Sequence, residues 1–275
     1  MRQDFVDAIA DAARLVQRFY ASQLGGPTFR LARPIVEVAR SDKPAAWFYA
    51  HDAGSERDNW GYDNGLAEAK RLLGAGGSQP WTWVIYSDGP GNSGRGGGGV
   101  AVMPEDDLLG LVGQHPTQKE PLRWVYGLAH ELGHALGLSH PPDLDAVPNA
   151  IMGRGFYTCF PDACELTEAD KAVLRASPFI TAPGLPMARA DAVYRYEHGS
   201  FTRFVGARPV AWTEEADDGG RYFFVEEPGA NDTYDLIDRS RGFHITIPKR
   251  GGQSRLSTDG GGSWRDLYRV TPEAP

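Results

Sequence analysis

Residues 130–140 have the sequence HELGHALGLSH, so three of the seven histidines in this 275-residue chain fall within one short stretch. His130 and His134 are four residues apart and, on an α-helix, project from one face, where two neutral imidazoles can bind a single metal ion. His140 cannot join them if the helix continues, because ten residues of helix rise about 15 Å. The chain must therefore turn back after the second histidine. Gly137 suits that turn, because glycine adopts positive φ without a steric clash.

The three histidines together predict a catalytic zinc site. Zinc bound by three protein ligands keeps a fourth position open for water, whereas structural zinc sites are closed by four protein ligands. Bound zinc lowers the pKa of that water towards about 7 and polarises a substrate carbonyl. Glu131, beside the first histidine, is the candidate that accepts the water's proton and passes it to a leaving amine. The motif therefore predicts a zinc-dependent endopeptidase that hydrolyses peptide bonds, with Glu131 as general base.

The pattern H-E-x-x-H-x-x-G-x-x-H resembles the active-site motif of the metzincin clan of zinc endopeptidases, and the string HELGHALGLSH is most similar to its matrixin branch. The clan also has a methionine turn beneath the zinc, which the segment NAIMG supplies with Met152. The resemblance implies an apolar floor under the imidazoles, formed by Met152, and a peptide substrate in extended conformation. Some members use a tyrosine two residues after the methionine. Arg154 occupies that position here, and Tyr157, the nearest tyrosine, is a candidate substrate-binding residue.

The order of the predicted elements fits such a catalytic domain. Apolar periodicity and capping residues predict helices, and apolar runs bounded by turn residues predict strands. The helices are expected at 3–22, 62–74, 104–113, 121–137 and 166–177, and the strands at 28–39 and 81–87. The resemblance implies a mixed sheet with a zinc helix over residues 1–182. We therefore expect an α+β fold class, in which this metzincin-like catalytic domain is followed by a small all-β domain.

The glycine-rich run GRGGGGVAVM, residues 94–103, matches G-x-G-x-x-G literally. A dinucleotide site needs a strand before the loop and a helix directly after it, but an extended apolar stretch follows here, so phosphate binding is rejected. In metzincins the strand that borders the cleft pairs with the substrate, and Gly98–Val102 is the candidate for that edge. Gly98, Gly99 and Val100 are therefore candidate substrate-binding residues, with a plain loop and strand as the alternative.

The sequence changes character at about residue 190, where helical periodicity gives way to short apolar segments separated by turn residues. This predicts a separate all-β domain over residues 190–275. Within it the segment STDGGGSW, residues 257–264, resembles an Asp-box, which repeats around the propeller of sialidases. A single copy favours instead a hairpin turn held by Asp259 and packed by Trp264. The domain suggests two alternative functions: a carbohydrate- or surface-binding protein that acts through this domain, and a glycoprotein-directed protease that uses both domains.

Cys159 and Cys164 are the two cysteines of the chain. A short loop disulfide between them is expected, and a pair of free thiols is the alternative. A disulfide indicates an oxidising compartment. The N-terminal segment is charged throughout and is not a signal peptide. We therefore expect a secreted, extracellular protein whose leader is absent from this sequence, while a cytoplasmic location stays open.

Composition limits the partners and cofactors. The formal net charge of −8 argues against nucleic acid, whose phosphates would repel the chain. No run of about 18 apolar residues occurs, so no transmembrane segment is expected. The expected cofactor is Zn²⁺. The acids within residues 56–64 suggest Ca²⁺ only weakly, because they follow no recognised ligand pattern. The expected partners are a peptide or protein substrate and, through the C-terminal domain, glycans.

Overall fold

The computed structural model divides the chain into two compact units. The first comprises residues 1–75 and 82–171, and the second comprises 76–81 and 172–275. The histidine motif therefore belongs to the first unit. The residues that the structure describes are 2–75, 81–91, 93–154, 159–177, 179–180, 189–205, 210–217, 221–238 and 242–273.

Helices make up most of the regular structure in the first unit. They are α1 (Gln3–Leu24), α2 (Trp47–Ala50), α3 (Trp60–Leu73), α4 (Glu105–Leu111), α5 (Pro121–Ala135) and α6 (Glu168–Ala176), which begins in the first unit and ends in the second; a 3₁₀ turn covers Arg57–Asn59. Pro121 opens α5, where its missing N–H leaves no hydrogen bond unmade. The amide of Thr167 bonds the carboxylate of Asp170, and the amide of Asp170 bonds the Thr167 hydroxyl, which starts α6 with a capping box. The helices predicted from the sequence are confirmed to within a few residues.

A three-stranded mixed sheet packs against these helices. Its strands are β1 (Trp83–Tyr86), β2 (Arg95–Gly97) and β3 (Val100–Met103), in the order β1-β3-β2. Strand β3 is buried at every residue and lies in the centre, parallel to β1 and antiparallel to β2. The turn between β2 and β3 needs φ angles of 52° at Gly98 and 83° at Gly99, which glycine adopts readily. Among the described residues β2 pairs with β3 alone, so β2 is an edge strand.

The second unit contains a closed antiparallel barrel of eight strands. Each strand pairs with the next along the chain, and β11 pairs with β4 to close the circle. The strands are β4 (Arg189–Tyr196), β5 (Gly199–Val205), β6 (Ala211–Ala216), β7 (Arg221–Glu227), β8 (Thr233–Asp238), β9 (Phe243–Pro248), β10 (Gly252–Ser257) and β11 (Arg265–Glu273). Side chains fill the interior, as is usual for barrels of this size. The buried apolar cluster consists of Tyr194, Phe201, Trp212, Phe224, Leu236, Ile245, Ile247, Leu256 and Val270.

The Asp-box-like segment forms the hairpin turn between β10 and β11. One carboxylate oxygen of Asp259 accepts hydrogen bonds from the hydroxyl of Ser257 at 2.7 Å and the amide of Ser263 at 2.9 Å, and the other accepts from the Ser263 hydroxyl at 2.6 Å. These bonds hold the pKa of Asp259 well below its ordinary value. The indole of Trp264 donates to the carbonyl of Gly261 at 3.1 Å. The side chains of Ser257, Asp259, Ser263 and Trp264 thus close the turn, which confirms the hairpin interpretation.

The predicted fold class is wrong. The largest sheet of the molecule is the closed eight-stranded antiparallel barrel, and the sheet beside α5 has only three short strands, so the chain does not have the metzincin-like mixed sheet with a zinc helix that was expected. Residues 28–39 do not form the predicted strand. Pro34 lies inside that apolar run and has no N–H to donate to a neighbouring strand, which disfavours pairing there.

Candidate metal centre and active site

The three histidines of the motif converge on one point. His130 and His134 lie one turn apart on α5, and His140 follows in the returning chain. The Nε2 atoms form a nearly equilateral triangle, with edges of 3.1 Å between His130 and His134, 3.1 Å between His134 and His140, and 3.2 Å between His140 and His130. Two nitrogens that bind one zinc tetrahedrally at about 2.0–2.1 Å lie about 3.3–3.4 Å apart. The spacing therefore fits a single zinc-sized ion.

Backbone carbonyls fix the tautomers of the two helical histidines. The Nδ1 atom of His130 lies 2.8 Å from the carbonyl oxygen of Ile151, and that of His134 lies 2.9 Å from the carbonyl oxygen of Leu138. A carbonyl oxygen can only accept, so each Nδ1 carries the proton and each Nε2 keeps its lone pair. Lone pairs that point at one another cannot form hydrogen bonds, but they can share a cation. Such carbonyl partners commonly orient metal-binding histidines.

Burial favours the neutral form of His130 and His134, and His140 is accessible to solvent. His130 is 3% exposed, and its burial lowers the pKa of its imidazole to about 4. Burial also lowers the pKa of His134. His140 is exposed to solvent. Neutral imidazoles are the form that binds a metal, and the exposure of His140 leaves room for water or a substrate beside it.

Gly137 makes the turn that returns His140 to the helix. Helix α5 ends at Ala135, and Gly137 has a φ of 95°. The amide of Leu138 then bonds the carbonyl of Gly133 at 2.9 Å, which closes the helix end. The glycine turn predicted from the spacing of the histidines is confirmed.

Glu131 is half-buried on α5, directly after the first histidine. Burial raises the pKa of its carboxyl to about 7, against the opposing effects of the Arg95 charge and of a hydrogen bond from the Gly96 backbone. A glutamate in such surroundings is a stronger base than an exposed one. The residues predicted to act as general base and as ligands therefore lie together on one helix and its returning turn.

Gly94 and Gly96 allow β2 to lie close to α5, a role that their sequence pattern alone does not reveal. A Cβ atom at Gly96 would overlap the backbone carbonyl of Glu131 and lie 3.0 Å from Cβ of His134. A Cβ atom at Gly94 would lie 3.2 Å from Cγ of Glu131. Gly94 and Gly96 are therefore required for the close approach between β2 and α5. Both glycines were visible in the sequence, but only the helix beside them shows why they are needed.

The predicted substrate-pairing edge is wrong. Val100 belongs to the central strand and pairs with Trp83 on one side and Gly97 on the other, so it cannot receive another strand. Gly98 and Gly99 form the turn before it. The edge strand is instead β2. Tyr157, the other candidate for substrate binding, falls within 155–158 and lies outside the described residues.

The methionine turn packs under α5. Met152 is fully buried, and a Cβ atom at Gly133 would lie 2.5 Å from its Sδ atom, so the thioether packs against α5 at Gly133, which lies between His130 and His134 in the sequence. The carbonyl of Ile151 accepts a hydrogen bond from Nδ1 of His130 at 2.8 Å and another from the hydroxyl of Tyr126 at 2.7 Å. The backbone before the methionine thus orients a proposed ligand directly.

The expected disulfide between Cys159 and Cys164 is confirmed. It closes a loop that ends just before Glu165, whose carbonyl accepts a hydrogen bond from the amide of Ile151 at 2.8 Å. The amide of Glu165 in turn bonds the carbonyl of Asn149 at 3.0 Å. The disulfide therefore supports the segment that holds Ile151, and through it His130.

Replacing both cysteines by serine is expected to destabilise the protein by about 2 kcal/mol, because the unfolded chain loses a short covalent loop. Zinc affinity should fall by up to about tenfold, since the support of an outer ligand partner weakens. Urea unfolding and zinc competition against a chromophoric chelator measure the two effects. A variant with unchanged stability and zinc affinity would show that the loop does not support the site.

Other features of the described residues add no second metal centre. Within them the only group of three histidine, cysteine or acidic side chains close enough to share an ion is the set His130, His134 and His140.

Every helix in the described part of the chain is too short or too polar to cross a membrane. Comparison with family models, curated proteins and solved structures found no match to this chain.

Proposed function

We propose that this chain is a zinc-dependent endopeptidase. The observation that carries the proposal is that the Nε2 atoms of the three histidines lie 3.1–3.2 Å from one another. Backbone carbonyls fix the tautomers of His130 and His134, so that their Nε2 lone pairs are free to bind a metal ion. Three protein ligands match the catalytic rather than the structural class of zinc site. The resemblance to the metzincin clan supports the proposal at the level of residues 130–152 and does not extend to the fold.

The chain's own residues supply orientation and proton transfer. A bound zinc would contribute the positive charge that acidifies water and polarises a substrate carbonyl. His130, His134 and His140 would hold it. Glu131 would accept the proton of the attacking water and deliver it to the leaving amine, and its burial strengthens it as a base. Met152 contributes an apolar support under the helix and no donor atom.

The edge strand β2 gives the proposed substrate class. An extended peptide can add to a sheet edge through backbone hydrogen bonds. Strand β2 has such an edge, and Gly94 and Gly96 place it directly against the helix that carries Glu131. A peptide bond in an added strand would therefore pass close to the histidines. The substrate is proposed to be an unfolded peptide or an extended segment of a protein.

We propose that the protein is secreted, because its disulfide between Cys159 and Cys164 is consistent with an oxidising compartment.

Glycan binding by the barrel, whether as the main activity or as an aid to proteolysis, remains the alternative prediction from the sequence. The side chains of Ser257, Asp259 and Ser263 in the Asp-box-like turn bond one another, so these three add no support for the alternative.

Metal removal tests the proposal. The purified protein should contain one zinc per chain and cleave members of a peptide library. A chelator should abolish cleavage, because no metal ion would then activate water. Added zinc should restore cleavage. Elemental analysis and mass spectrometry of the products measure both. Cleavage that survives complete zinc removal, or a zinc-loaded protein that cleaves no peptide, would contradict the proposal.

A further inference from the structure

Strand β2 presents a single side chain. It consists of Arg95, Gly96 and Gly97, so any side-chain discrimination by this strand must come from Arg95. Successive residues of a strand point to opposite faces. Gly94 and Gly96 face α5, as their close approach to Glu131 and His134 shows. Arg95 therefore lies on the face directed away from that helix.

One nitrogen of the Arg95 guanidinium donates a hydrogen bond to the backbone, and the other two remain available to a binding partner. Its Nε donates to the backbone carbonyl of Asp58 at 2.9 Å, and the residue is exposed. Within the described part of the chain Arg95 makes no other hydrogen bond and no ion pair. Its positive charge acts on Glu131, where it lowers the carboxyl pKa against the effect of burial. A tethered guanidinium with two free nitrogens suits bidentate binding of a carboxylate.

A peptide added to the edge of β2 would place one side chain opposite Arg95. Residues that face each other across paired strands lie on the same face, and opposite charges there are favourable while like charges are unfavourable. The glycines on either side of Arg95 add no competing side chain. Selection should therefore occur at one substrate position and should depend on charge.

We propose that Arg95 is a specificity determinant, which selects peptides that carry an aspartate or glutamate side chain at the position paired with it. This inference rests on the proposed function, because it assumes that substrate binds along β2. It adds a substrate class, acidic peptides, that neither the histidine motif nor the metal centre implies.

Matched peptides test the selection. Pairs that differ only by glutamate or glutamine are made for each position of one cleavable sequence, and kcat/KM is measured at low salt. The wild-type protein should prefer glutamate about fivefold at one position, and raised salt should reduce the preference. Arg95→Gln should remove the preference for glutamate, and Arg95→Glu should reverse it, so that the glutamine peptide is preferred. Arg57→Gln, which changes another exposed arginine of the first unit, should keep it.

Binding to a Glu131→Gln variant separates this inference from the proposed chemistry. Fluorescence anisotropy of the same peptide pairs reports the preference without cleavage. A fivefold binding preference that requires Arg95 would support the inference even if no peptide were cleaved. If peptides are cleaved but no position prefers glutamate, or if Arg95→Gln keeps the preference, Arg95 is not the determinant. If neither cleavage nor charge-dependent binding occurs, both proposals fail.

Discussion

Replacing Glu131 by glutamine is expected to leave the zinc content unchanged and to lower kcat for peptide hydrolysis by about 10²–10⁴-fold. The three imidazoles are untouched, and the two carbonyls that orient them belong to Ile151 and Leu138. Glutamine has almost the same shape as glutamate but cannot accept the proton of water. Zinc analysis and steady-state kinetics on the same sample measure the two expectations together.

Glu120→Gln is the matched control for this change. Glu120 precedes α5, is exposed and makes no side-chain capping hydrogen bond, so the same chemical change there should alter neither zinc content nor kcat. A zinc-loaded Glu131→Gln protein with kcat within tenfold of the wild-type value would contradict the role of Glu131 as general base. Loss of zinc in that variant would show instead that the carboxylate helps to hold the metal.

Gly96→Ala is expected to damage both stability and activity. The added Cβ would overlap the backbone carbonyl of Glu131, and backbone cannot rotate away as a flexible side chain can. Overpacking of this kind costs about 1–3 kcal/mol of unfolding free energy. The strand or the helix must shift, and a displacement of about 1 Å at reacting groups can cost 10²-fold in rate. Urea unfolding and kcat of the zinc-loaded protein are the measurements.

Gly97→Ala provides a control one residue away on the same strand. A Cβ atom at Gly97 meets nothing within 4 Å. This variant should match the wild type in stability, or gain slightly, since alanine restricts the unfolded chain more than glycine does. Equal behaviour of the Gly96 and Gly97 variants would show that β2 does not need its close packing on α5.

The convergence of the three histidines was largely predictable because it depends on neighbouring residues in the sequence. Two histidines one turn apart, a glycine that ends the helix and a third histidine within reach define three candidate ligands by local chain geometry. The structure adds what spacing cannot reveal. The carbonyl of Ile151 that fixes His130 comes from a turn more than twenty residues away, and no sequence pattern marks a carbonyl acceptor.

The fold was less predictable because it depends on distant pairings. The barrel closes where β11 pairs with β4, and the register joins Pro272 to Tyr194 across most of the domain. Alternating apolar residues predict strands but not their partners. The extended residues that follow the glycine run predict the edge strand at 98–102, whereas Arg95–Gly97 forms it.

X-ray absorption at the zinc K-edge of the purified protein tests most directly whether His130, His134 and His140 form an open catalytic site. Zinc bound here should show a first shell of three imidazole nitrogens at about 2.0–2.1 Å and one further oxygen ligand from solvent. His134→Ala should remove one nitrogen from that shell or abolish binding. A closed shell of four protein ligands, or a spectrum that His134→Ala leaves unchanged, would contradict the assignment of these three histidines to a catalytic zinc centre.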